Sequence, residues 1–234
     1  MDVNITPVRQ DAWAGFARPG AVPMSYGEYL ALPDDVHATG LVEWVDGVAI
    51  FHMPPQIHHQ EIASYLTAVL RFFAQFFKLG TVLASPVEMR CGSDGPAREP
   101  DIVFVSKANL YRLTQQRLDG PADLAIEIVS DDSVKRDFDD KFFEYERCGV
   151  REYWIVDPRP NRQRAIFYQL TGEGKYESIK PDAGVYRSVS VPGFWLRVDW
   201  LWSMPDAQLT FAEIAGPDNI IRALQTLQAQ TTAR

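Results

Sequence analysis

Leu124-Ala125-Ile126-Glu127-Ile128-Val129, then Asp137-Phe138-Asp139-Asp140-Lys141-Phe142-Phe143-Glu144-Tyr145, then Tyr153-Trp154-Ile155-Val156, is the stretch that decides the fold. Its first and last segments are apolar runs, the pattern of strands buried on both faces. Residues 133–148 between them read as a helix, with Ser133 as a cap and Gly149 as its stop. Strand, helix and strand within about 35 residues predict two parallel strands joined by a right-handed crossover.

Two charges in this stretch are out of place on stability grounds. Glu127 interrupts the apolar strand. On a wheel of about 100° per residue, Lys141 falls inside the stripe made by Val134, Phe138, Phe142, Tyr145 and Cys148. Lys135, Arg136, Asp139, Glu146 and Arg147 fall on the far side. Burying an ion costs several kcal/mol unless it is paired or bound to a metal. Lys141 is therefore predicted to face the sheet, toward Glu127, with Asp137 one turn earlier steadying its ammonium. Phe143 points away from that stripe.

Working outward, residues 1–21 read as an irregular lead-in. Ser25-Tyr26-Gly27-Glu28 matches a capping box, so a short helix starts there and stops before Pro33. Leu41 to Val45 and Val48 to Phe51 flank Asp46-Gly47, a hairpin signal. Ile62, Leu66, Val69, Leu70, Phe73 and Phe77 predict a long helix over about 57–78. Thr81 to Met89 and Ile102 to Val105 read as strands. Ala165 to Leu170, Tyr186 to Val191 and Phe194 to Trp200 read as antiparallel strands at the sheet's edge. One domain over 22–204 and a helical tail over 205–234 complete the plan: an α/β chain of α+β type, a mixed sheet flanked by helices.

Glu99-Pro100-Asp101 stands at the mouth of the Ile102 strand. An aspartate there can add a second carboxylate to Glu127 in a hard-metal site, since magnesium takes one or two carboxylates and keeps several waters. Such an ion lowers the pKa of a water and stabilises charge on a phosphate. A nearby lysine can orient the water or neutralise developing charge.

At this point the chain resembles a known group. Pro100-Asp101, Glu127 and a following lysine resemble the PD-(D/E)xK nuclease superfamily. More narrowly, Pro121 to Ser130, Asp137 with Lys141 and Tyr145, and Gly149-Val150-Arg151-Glu152-Tyr153-Trp154-Ile155-Val156-Asp157-Pro158 resemble the "Uma-two" family of restriction endonucleases. The hairpin at Asp46-Gly47, the helix start from His59 and the Gly193-Phe194 strand are similar too, so the likeness covers roughly residues 22–204. It implies a restriction-endonuclease-like fold, Mg²⁺ or Mn²⁺, and hydrolysis of DNA phosphodiesters. Asp101 and Glu127 would be the metal ligands, and Asp101, Glu127 and Lys141 the catalytic set. The superfamily lysine sits two residues after the glutamate, where this chain has Val129. Lys141 must therefore reach the site from the helix. The alternative is a catalytically inactive nuclease-fold module that binds DNA or protein.

Further residues weigh less. Glu43, beside Trp44 on the hairpin, is an additional acidic candidate. Arg162 and Arg164, with Arg159, are candidate phosphate contacts. His52, His58 and His59 read as capping or surface residues rather than a zinc cluster. No GxxxxGK[ST], GxSxG or HExxH occurs, which disfavours nucleoside-triphosphate hydrolysis and acyl transfer.

The 234 residues are 46% hydrophobic and 23% charged, an ordinary globular composition. The net charge of −8 disfavours a sequence-independent nucleic-acid coat protein but suits a metal-holding site. Cys91 and Cys148 have no metal-site or scaffold spacing, and neither a signal peptide nor a membrane span is read. A cytoplasmic protein with no membrane partner is expected. Phe143, Trp195, Trp200 and Trp202, read as exposed, make a homodimer the expected assembly.

Overall fold

The βαβ stretch folds as its pattern requires. In the computed structural model, which describes residues 20–33, 36–37, 42–52, 55–93 and 95–232, strand β9 (Leu124–Ile128) and strand β10 (Glu152–Asp157) pair in parallel, with Glu127 beside Ile155. Helix α3 (Lys141–Cys148) crosses between them and ends at Gly149, whose φ of 87° suits a residue without a Cβ. The helix is not uniform: Arg136–Asp140 form a π-helical turn ahead of it. Ser133 does not cap it as expected, because its hydroxyl donates to the Asp137 carboxylate instead.

This pair lies inside a six-stranded mixed sheet. β4 (Gly80–Ala84), β7 (Ile102–Ser106), β9, β10, β11 (Arg164–Leu170) and β12 (Tyr176–Ile179) are adjacent in that order. All neighbours but β9 and β10 run antiparallel. Alternate side chains point to opposite faces. Ile102, Phe104, Leu124, Ile126, Ile128, Trp154 and Val156 pack against helix α2 (Ile57–Phe76). Val103, Val105, Ala125, Val129, Tyr153 and Ile155 pack on the other face against Tyr145 of α3. Glu127 has the odd parity of that second face, so its side chain enters beside α3.

The expected single sheet is in fact joined by another. β1 (Gly20–Pro23), β2 (Val42–Val45), β3 (Val48–Phe51), β5 (Met89–Arg90), β6 (Ala97–Arg98) and β8 (Leu118–Asp119) form a second six-stranded sheet. The Asp46-Gly47 hairpin is present, with φ of 48° and 84° at its turn. Leu41 lies outside the described residues, as do residues 1–19 of the expected lead-in, whose last two residues begin β1. Helix α1 (Tyr26–Leu30) carries the expected capping box between Ser25 and Glu28.

Three other expectations are corrected. The Thr81–Met89 run divides between the two sheets, since Pro86 has no N–H with which to continue a ladder. The segments near Tyr186 and Phe194 pair with each other as β13 (Val185–Arg187) and β14 (Trp195–Arg197), not with the main sheet's edge, which β12 occupies. Trp200 is buried, and Trp195 and Trp202 pack against the core.

Helices α4 (Trp200–Ser203), α5 (Ala207–Ala215) and α6 (Pro217–Thr232) close the chain. The expected tail is not simply appended, because Ile214 and Ala215 of α5 join the core beside α2. Cys91 and Cys148, whose spacing carries no metal-site or scaffold signal, are joined in a disulfide with Cα atoms 5.5 Å apart. No described helix is long and apolar enough to cross a membrane.

Candidate active site

Residue positions in the two sheets bring the predicted acids together. The β7–β9 ladder pairs Ile102 with Ile126, so Asp101, one residue before β7, stands opposite Glu127. Its Oδ2 accepts the Ile128 N–H at 2.7 Å, which anchors the carboxylate against β9. From the helix, Lys141 Nζ reaches Glu127 Oε2 at 2.9 Å, Glu43 Oε1 at 3.2 Å and Asp137 Oδ1 at 3.7 Å. The Tyr145 hydroxyl donates to Glu127 Oε1 at 2.7 Å. Lys141 is 4% exposed and Glu127 3% exposed. Val129 keeps the strand position two residues on and is packed in the core.

Glu43 enters from the second sheet and is the hub of the charges. It accepts from Arg98 Nη1 at 3.1 Å and from the Glu99 N–H at 3.0 Å, and lies 3.1 Å from His52 Nε2. Arg98 also grips Glu144 with two bonds of 2.7 Å. Burial alone would raise the Glu43 carboxyl, but Lys141 and Arg98 hold it well below the usual carboxylate range. Burial has the upper hand at Glu127, which is pushed up despite Lys141. It also pushes up Asp137. Burial opposes the Lys141 charge, yet Glu127, Glu43 and Asp137 together keep its pKa raised. Carboxylates thus outnumber cations in a water-poor site, the charge balance that a divalent cation relieves. Among the described residues no three His, Cys, Asp or Glu side chains converge as a ready-made cage. Magnesium does not need one, since waters complete its shell.

Glu43, Asp101, Glu127, Asp137 and Lys141 line a cleft of about 610 Å³. Some expectations fall elsewhere. Arg162 and Arg164 do not line the cleft. Arg162 is exposed, and Arg164 lies over the Phe138 ring, 3.6 Å from Asp157. His59, read as a cap or surface residue, is 8% exposed, with Nε2 3.2 Å from Asp101 Oδ2. His52 and His58 turn to Glu43 and Glu61 instead. Arg136, placed on the far side of the helical wheel, lines the cleft. It lies 3.9 Å from Glu43 of the second sheet, which has no periodic signal in the sequence. The same omission hid Arg98 and Glu99.

The class that fold and site define is a mixed α+β domain with an acidic, lysine-centred cleft. The chain belongs to the Uma2 family, described as "Putative restriction endonuclease", whose profile matches residues 26–199. Among solved structures it is similar to "a putative nuclease belonging to DUF820" from Anabaena variabilis ATCC 29413. That likeness has a TM-score of 0.60 at 23% identity and covers 77% of this chain and 98% of the other. No curated protein matches the chain.

Proposed function

We propose that this protein is a metal-dependent endonuclease that hydrolyses phosphodiester bonds in DNA. One observation carries the reading: Asp101 and Glu127 stand opposite each other in a cleft, and Lys141 meets Glu127 at 2.9 Å. Asp101 and Glu127 would hold Mg²⁺ or Mn²⁺, which when bound supplies a Lewis acid for the phosphate and a more acidic water. Lys141 presents an ammonium at a fixed point, orienting the attacking water and offsetting charge on the phosphate. Asp137 and Glu43 keep that ammonium charged and aimed. The Tyr145 hydroxyl fixes the Glu127 rotamer, leaving each carboxylate oxygen a second lone pair.

Cleavage of circular DNA, both supercoiled plasmid and a single-stranded circle, with Mg²⁺ or Mn²⁺ tests the reading. Glu127→Gln and Lys141→Ala, shown folded by circular dichroism, are expected to lose at least about 100-fold in rate. Undiminished cutting by both variants would remove these residues from the mechanism.

A second reading, a nuclease fold that binds DNA or protein without cutting, is favoured by one feature. The lysine has left the strand, and three carboxylates already hold its ammonium. Titration calorimetry with Mn²⁺ separates the two, because only a nuclease requires metal affinity that Asp101→Asn and Glu127→Gln abolish. A homodimer belongs to the proposal as well. Phe143 and the Ile221, Leu224 and Leu227 stripe of α6 are its exposed apolar faces, and sedimentation tests it.

A further inference from the structure

The cleft does not end at the carboxylates. One of its walls is a stripe of α2, namely Gln60, Ala63, Ser64, Thr67, Ala68 and Arg71. These positions recur at three and four residues and so share one helix face. From Gln60 to Arg71 the stripe runs about 16 Å, roughly five stacked nucleotide steps of one strand. Its middle is made of short side chains, which leaves a trough. At its far end Arg71 and Phe72 stand side by side.

Resting on the nuclease reading, we propose that this trough takes a single unpaired DNA strand. Arg136 at the carboxylates and Arg71 at the far end contact its phosphates, and Phe72 stacks on a base.

The cations argue for a strand rather than a duplex. Among the described lining residues the Lys and Arg side chains are Lys141, Arg136 and Arg71, and carboxylates already hold Lys141. Arg71 donates one amine to the Val82 carbonyl at 3.2 Å. Two arginines on a chain of net charge −8 are too few for the basic face with which proteins grip a duplex.

The lining also carries unmet hydrogen-bonding atoms. His59 Nδ1 and Thr67 Oγ1 are buried without a hydrogen-bond partner, and Arg136 Nε has only the Glu43 carboxylate at 3.9 Å. Such atoms are costly unless something binds there, and phosphate and base edges supply acceptors and donors. Phe72 is 38% exposed, and the Phe211 ring 5.9 Å away backs it. A paired base keeps its face inside the stack, whereas an unpaired base offers it to an aromatic wall.

Fluorescence anisotropy in EDTA tests this without any cutting. The probes are a labelled strand of about a dozen nucleotides and the same sequence as a blunt duplex. The strand is expected to bind wild-type protein at least about tenfold more tightly than the duplex. Arg71→Ala should lower strand affinity and reduce the salt slope by about 0.7. Phe72→Ala should lower it at least about fivefold. Both side chains lie at the surface, so both variants fold. A duplex bound as tightly as the strand, strand affinity indifferent to both substitutions, or no binding of either probe overturns the proposal. Strand preference in a protein that cuts nothing with Mg²⁺ or Mn²⁺ supports the trough and defeats the nuclease reading. Cutting without strand preference does the reverse.

Discussion

Lys141 is the residue that holds the charges of the candidate site together. It is the shared counter-charge of Glu43, Glu127 and Asp137, all nearly out of solvent. Removing one member of a buried ion cluster strands the others, at about 3–5 kcal/mol. Lys141→Met is therefore expected to lower the urea midpoint strongly. Adding Glu127→Gln removes one stranded charge and should recover about 1 kcal/mol or more. A double variant no more stable than the single would show that Lys141 is not the counter-charge of Glu127 in solution. Lys141, Glu127 and Asp101 were legible because each breaks a local pattern: a charge on an apolar stripe, an acid in an apolar strand, an acid at a strand mouth. His59 was not legible, since a helix-start histidine looks the same whether or not an aspartate from another strand meets it.

At the scale of elements, the β9–α3–β10 crossover was readable because a continuous apolar run, an amphipathic helix and a stop glycine follow one another. The π-helical turn at Arg136–Asp140 was not, because a wheel assumes one period throughout. The strands of two residues, β5, β6 and β8, are too short for any alternation. Their sheet therefore had no signal beyond its hairpin. The helix stop is itself testable. The Gly149 N–H donates to the Tyr145 and Glu146 carbonyls at 3.1 Å each, in the left-handed conformation. A Cβ added there meets nothing within 4 Å, so any penalty is backbone strain alone. Gly149→Ala should cost about 1–2 kcal/mol and Gly149→Asn less, measured by thermal unfolding. Equal stability of all three proteins would mean that the α3 terminus relaxes to another conformation.

The whole molecule assembles the candidate site from three separately built parts. The main sheet supplies Asp101 and Glu127, the second sheet supplies Glu43, and the crossover helix supplies Asp137 and Lys141. The alignment of the second sheet with that helix decides whether Glu43 and Lys141 meet. One covalent link spans those two parts, because Cys91 follows β5 and Cys148 ends α3. The cysteines are 57 residues apart, a spacing that no sequence pattern flags. Closing a loop of that length restricts the unfolded chain by about 4 kcal/mol on chain-entropy grounds. Dithiothreitol is therefore expected to lower the urea midpoint of the wild-type protein. The Cys91→Ser/Cys148→Ser variant should start at the lowered value and ignore the reductant. An unchanged wild-type midpoint would mean that the thiols are unpaired in solution, as a reducing cytoplasm would keep them. Side-chain bonds such as Arg98 to Glu144 would then have to hold the second sheet on α3.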